Sequence, residues 1–133
     1  MEFLIRAAEI IQPNSSLHKT KKDILVTNGK IESIADEIDF KGTIISSEDL
    51  KVSLGWVDMR ANYNDPGLEH KEDLDSGSAV ALASGFTDVL LMPNTVPVIS
   101  NKNALSSFKR FNKSSAIQLH PVAALTDGCE GNE

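Results

Sequence analysis

The sequence predicts an α/β protein in which an all-β segment, residues 1–53, precedes a segment of alternating strands and helices, residues 54–133. Two observations carry this prediction. In the first segment, short β-prone runs flank the turn pair Asn28-Gly29. In the second, the apolar runs Trp56 to Ala61, Phe86 to Met92 and Ala116 to Ala124 are separated by two stretches of helical character. A β-α-β-α-β order with crossovers of that length implies a parallel sheet.

Phe3 to Ile11 is apolar with Arg6 and Glu9 interposed and stops at Pro13-Asn14-Ser15, which predicts a short strand and a turn. Asp23 to Thr27 and Lys30 to Ile34 form a hairpin, because Asn-Gly tolerates the positive φ angles of a type I′ turn. Asp36 to Lys41 is a polar connection, and Thr43 to Ser47 is a further strand in an antiparallel-looking pattern. The strand Trp56 to Ala61 leads into a polar loop, Asn62 to Asp73, and then a helix from about Asp73 to Ala83, with Gly85 as its stop. Gly77 inside that helix costs roughly 1 kcal/mol relative to Ala, so close packing on the sheet is expected there. Phe86 to Met92 reads as a buried strand ending at Pro93-Asn94-Thr95. Ser100 is placed as the N-cap of a helix from about Asn101 to Phe111, with Ala104, Leu105, Phe108 and Phe111 at helical spacing. Ala116 to Ala124 is the third strand, with Pro121 limiting its ladder on one side.

Composition narrows the partners. A formal net charge of -6 and the lack of any Lys/Arg run argue against nucleic acid and against an anionic membrane surface. One cysteine, Cys129, cannot form an internal disulfide, and there is no CxxC thiolate pattern, so a reducing, cytoplasmic setting is expected. Neither a signal peptide nor a transmembrane span is read in the sequence.

The stretch Gly55 to Gly67, GWVDMRANYNDPG, is the centre of the functional reading. Asp58, Arg60 and Asn62 alternate along a strand, so their side chains are expected on one face at its C-terminal end. Spacing alone leaves open whether the strands belong to a doubly wound sheet or a (β/α)₈ barrel. A full barrel takes about 250 residues, so either a larger protein or a chain that needs a partner is expected.

With LEHKEDLDSG (Leu68 to Gly77), GFT (Gly85 to Thr87) and MPNT (Met92 to Thr95), this stretch resembles the dihydroorotases of the cyclic amidohydrolase superfamily, from the first strand to the last residue. The combination of DPG-LEHKED with MPNT is highly specific. The resemblance implies part of a small β-sandwich domain followed by the first three strands of a metal-dependent (β/α)₈ TIM barrel, whose site lies at the C-terminal strand ends. It implies a family reaction that interconverts dihydroorotate and carbamoyl aspartate in pyrimidine synthesis, with zinc held by a His-x-His motif at the end of the first barrel strand.

Here the two histidine positions are Arg60 and Asn62. Arg is permanently protonated and has no lone pair to offer, and an Asn carbonyl is a poor substitute for imidazole. A guanidinium ~4 Å from a divalent ion at an effective dielectric of 20 would be repelled by about 8 kcal/mol. An Arg that takes the substrate carboxylate precedes the acid-Pro-Gly in the family; this chain has Asn64, while Asn94 matches the family's substrate-contacting Asn. The resemblance places the other metal ligands and the catalytic Asp beyond Glu133. No catalytic residue, no metal ligand and no bound zinc are therefore expected in this chain.

Plainer uses stand beside these. Arg60 can pair with Asp58 as a purely structural ion pair, or form an anion site with Asn94. His70 is read as organising its loop, His18 as solvated, and His120 as a satisfied core histidine. Glu69, Glu72, Asp73 and Asp75 read as a solvated helix start, favoured by the helix dipole. Cys129 lacks a nearby base for nucleophilic work. Three functions follow: an inactive dihydroorotase-like subunit, homo-oligomeric or supporting aspartate carbamoyltransferase; an active cyclic amidohydrolase with a rearranged metal site and a small-molecule carboxylate substrate; or a small stand-alone binding domain.

Overall fold

A computed structural model describes residues 1–131. The chain divides into two compact units, Met1–Leu54 and Gly55–Glu133.

The first unit is a sheet built around β1 (Glu2–Ile11). One edge of β1 takes β2 (Lys21–Thr27) in antiparallel register, and β2 turns into β3 (Lys30–Ala35). Asn28 and Gly29 have φ angles of 52° and 75°, as a type I′ hairpin turn demands. The other edge of β1 carries two short parallel partners, β4 (Thr43–Ile45) beside Phe3 to Ile5 and β5 (Lys51–Ser53) beside Glu9 to Ile11. The antiparallel pattern expected throughout is thus corrected on this side, and β5 is an addition. Three residues are too few for period-two alternation to register in a sequence.

The register of β1 slips between Ile5 and Ala8, and Ala7 adopts a φ of 50°. A buried carboxylate resolves the backbone groups this bulge frees. Asp23 accepts the Ala7 N–H at 2.8 Å and the Ile38 N–H at 3.0 Å, and Arg6 Nε lies 3.6 Å from its second oxygen. Leu4, Ala8, Ile10 and Ile24 are the buried apolar residues of this unit.

The second unit is a parallel sheet in the order β6 (Trp56–Ala61), β7 (Phe86–Leu91), β8 (Gln118–Pro121). Helix α1 (Leu74–Ala83) connects β6 to β7, and α2 (Leu105–Asn112) connects β7 to β8. One core joins them: Val89, Leu91 and Leu119 from the strands pack with Tyr63, Ile99, Ile117 and Phe108. Asp73 caps α1 in a capping box, its carboxylate accepting the Ser76 N–H at 2.7 Å while the Ser76 hydroxyl accepts the Asp73 N–H.

Two boundaries differ from the sequence reading. Helix α2 begins at Leu105, and Ser100 is not its cap. The Asn101 side chain accepts the N–H groups of Asn103 and Ala104, folding 101–104 into a local turn that competes with helix. The third strand, Gln118–Pro121, is shorter than Ala116 to Ala124 at both ends, although the Val122 N–H just past Pro121 still donates to the Leu91 carbonyl at 2.9 Å.

Candidate functional site

The end of β6 does not keep the simple alternation expected of it. Between Asp58 and Ala61 three steps along β6 match two along β7, from Val89 to Leu91. The slip has a local cause: Asp58 turns its carboxylate onto the Arg60 backbone and accepts that N–H at 2.9 Å. Asp58 and Asn62 line a common cleft on the α1 side, whereas Arg60 is exposed and outside it. The shared face for all three is therefore corrected. So is an Asp58–Arg60 ion pair, since the Lys and Arg ion pairs among the described residues are Arg6–Asp23 and Lys22–Asp36.

After β6 the loop is pinned at several points. Asn64 has a φ of 62°, a left-handed conformation that Asn tolerates better than most residues. Its side chain donates to the Asn62 carbonyl at 3.1 Å, and its own carbonyl accepts the Leu68 N–H at 2.9 Å. Asp65 accepts the first free N–H of α1, that of Leu74, at 3.2 Å. Gly67 donates its N–H to Glu69 at 2.7 Å, and this bond is the main cause holding the Glu69 carboxyl below its ordinary value.

The Asp65-Pro66-Gly67 turn meets Val96, the residue that follows the Met92 to Thr95 motif, although the two are distant in sequence. The Val96 N–H donates to the Pro66 carbonyl at 2.8 Å. A Cβ on Gly67 would fall 2.0 Å from the Val96 carbonyl oxygen, so the glycine is required by this approach and by its own φ of +99°. Buried Thr95 fixes the second loop by donating its hydroxyl to the Pro97 carbonyl at 2.8 Å. Asn94, beside it, is exposed.

The histidines are placed differently from the reading above. His120 is exposed rather than a core residue, and its Nε2 lies 2.8 Å from Asp88 Oδ1 on the neighbouring strand. This contact, reinforced by the Thr87 hydroxyl, holds the Asp88 carboxyl below its ordinary value. Parallel register sets Leu90 opposite His120 and Asp88 opposite Gln118, so the pair is diagonal and invisible to a residue-by-residue reading. His18 accepts the Gln12 N–H at 3.2 Å and is half-buried, and His70 is exposed.

Among the described residues, no three His, Cys, Asp or Glu side chains gather where a metal ion could be held. At the end of β6 the donor set is an Asn amide and an Asp already bonded to backbone, beside a fixed cation. That set does not fit zinc, which takes imidazole, thiolate or carboxylate.

Tyr63 was missed in the sequence. Its ring is 8 % exposed and lies over Gly77, where a Cβ would come 2.8 Å from three ring atoms. Gly77 is thus a close-approach glycine, but it packs on Tyr63 rather than on the sheet. A helical glycine was the available signal.

No family model matches the chain. Curated relatives do. It is 36 % identical to a dihydroorotase of Geotalea daltonii over 98 % of this chain, and 35 % identical to one of Aquifex aeolicus over 100 % of it. The chain is a homologue of the dihydroorotases. It spans about a third of the length of these relatives, 31 % and 32 %. In fold, this homologue is similar to the L-hydantoinase of Arthrobacter aurescens, with a TM-score of 0.62 and 22 % identity, covering 91 % of this chain and 27 % of that one. A D-hydantoinase gives a TM-score of 0.59 at 20 % identity, covering 96 % of this chain and 29 % of that one. The fold, a β-sheet unit followed by parallel β/α units, is thus shared with part of these two hydantoinases.

Proposed function

We propose that this dihydroorotase homologue supplies the small β-domain and the opening of a (β/α)₈ barrel without supporting the family's zinc-dependent ring hydrolysis, and acts as a structural or regulatory chain. The observation that carries this reading is the occupancy of the family's His-x-His positions by Arg60 and Asn62. Arg60 keeps a permanent positive charge where a nitrogen lone pair is needed, and Asn64 replaces the carboxylate-binding Arg with a side chain that bonds its own loop. Asn94 alone matches the family's substrate-contacting set.

Elemental analysis of the purified protein together with a dihydroorotate ring-opening assay tests the first half. Zinc well below one equivalent and no turnover are expected, and stoichiometric zinc with turnover would overturn the reading in favour of a rearranged, active site. For the second half, the family resemblance makes aspartate carbamoyltransferase the partner to try, in the cytoplasm. Co-purification with that enzyme is the expected result, and a protein that stays alone and stable removes the motive for a partner.

A further inference from the structure

The two edges of the parallel sheet are unlike each other. The Val122 N–H just past β8 donates to the Leu91 carbonyl on β7, so the even-numbered residues of β8 direct their backbone groups to β7 and the odd-numbered ones direct theirs outward. The outward donors are already closed. The Ile117 N–H donates to the Ser115 hydroxyl oxygen at 3.1 Å. At Leu119 one side chain takes both groups: the N–H donates to Asn112 Oδ1 at 2.9 Å, and the carbonyl accepts from Asn112 Nδ2 at 2.9 Å. Pro121 has no N–H to offer. A carboxamide carries the same donor and acceptor as a peptide group. Asn112, the last residue of α2, therefore bonds Leu119 as a residue of a neighbouring strand would. The opposite edge has no such cover. Trp56 turns its N–H to the Gly85 carbonyl, which points the Val57 backbone the other way, and among the described residues no strand lies on that side of β6.

Such a sheet has two ways to pair with its own kind. β6 of one copy can add to β8 of another, head to tail, and that contact repeats into an open array. Alternatively, β6 pairs with β6 across a two-fold axis, antiparallel, and that contact closes on itself. We propose that Asn112 caps β8 against strand addition, so that the chain pairs through β6 with a second copy of itself and assembly stops at a two-fold dimer. A second copy fits this edge because the exposed apolar residues Trp56, Val57 and Met59 then cover their own counterparts, while the antiparallel direction sets the two Arg60 cations at opposite ends of the paired strands. The inference stands apart from the proposed loss of hydrolysis, because neither the cap nor the pairing needs a metal site to be present or absent.

The test is sedimentation velocity of the 133-residue protein over a wide concentration range, with amide hydrogen exchange measured where the parent is monomeric. The parent should pass from monomer to dimer and no further. Asn112→Ala should form species larger than a dimer, and its Leu119 amide should exchange about tenfold faster or more while the Val89 amide, on the central strand, keeps its protection. If Asn112→Ala costs Val89 that protection, Asn112→Leu, of similar shape but without hydrogen-bonding atoms, takes its place. Loss of Val89 protection there too would make Asn112 a support of the fold and overturn its role as a cap. A parent that stays monomeric, or that grows beyond the dimer, overturns the proposal. So does a folded variant that stops at the dimer, or one whose Leu119 amide exchanges at the parental rate.

Discussion

At Gly67 two separate demands fall on one residue, and at Gly85 only one of them does. Both have φ in the left-handed region, +99° and +88°, but a Cβ at Gly85 meets nothing within 4 Å, whereas at Gly67 it strikes the Val96 carbonyl. Gly85→Ala should therefore cost only the dihedral strain, about 1–2 kcal/mol. Gly67→Ala adds an overlap with backbone, which cannot rotate away, and should cost roughly 3 kcal/mol or more. Trp56 is the single tryptophan and lies in the same unit, so its fluorescence in urea reads both. Equal midpoints for the two variants would show that the contact between the Pro66-Gly67 turn and Val96 contributes nothing. The motif letters of that turn and of Met92 to Thr95 were legible in the sequence. The contact of that turn with Val96 was not, because a close approach between loops leaves only a glycine as its trace.

Helix α1 shows how an element can contradict its own propensities. By intrinsic preference Gly77→Ala should stabilise a helix by about 1 kcal/mol. The Tyr63 ring, 2.8 Å from the new methyl, reverses the sign, and a net loss of roughly 1–3 kcal/mol is expected. In a Tyr63→Ala background, itself destabilised, the same substitution should become neutral or favourable, and a double-mutant cycle by urea unfolding reads that coupling. The cap of α1 adds a pH dependence. The Asp73 carboxyl is held below its ordinary value, first by the Ser76 amide N–H and then by the Ser76 hydroxyl. A folded value below the unfolded one means the stabilisation is fully present above about pH 3.9 and is lost as pH falls through the depressed value. Asp73→Asn keeps a capping oxygen without the titration, so its helical circular dichroism should fall less steeply in acid than the parent's. Identical acid profiles would remove Asp73 from the account. The helix and its end were readable because a glycine stop is a local signal; Asp73, read as one of a solvated acidic group at the helix start, is shown as the cap only by the structure. The start of α2 was not readable, since Asn101 outcompetes Ser100 through an equally local turn, and β5 was not, since it pairs with β1, far earlier in the chain.

For the molecule as a whole, the deciding feature is an open sheet. β6 is an edge of the parallel sheet, and along it Trp56, Val57 and Met59 are 58 %, 50 % and 67 % exposed. A parallel sheet is ordinarily covered on both faces and closed or blunted at its edges. Asp58 is turned to the Arg60 amide, which leaves Arg60, exposed at the C-terminal end of β6 beside Met59, as the charge on this strand that faces solvent. Exposed apolar side chains beside unpaired backbone N–H and C=O groups favour strand addition by another chain. The protein as it stands should therefore associate with itself at concentrations of tens of micromolar, an order-of-magnitude expectation for edge pairing. Val57→Lys with Met59→Lys places two charges on this edge without touching the Tyr63 core or the Pro66-Gly67 contact. Sedimentation velocity should then change from concentration-dependent to concentration-independent, with the far-ultraviolet spectrum preserved. If the parent already sediments as a single monomer over that range, the edge is not sticky and the need for a partner chain loses its physical basis. If the lysine pair leaves association unchanged, the contact lies elsewhere than β6.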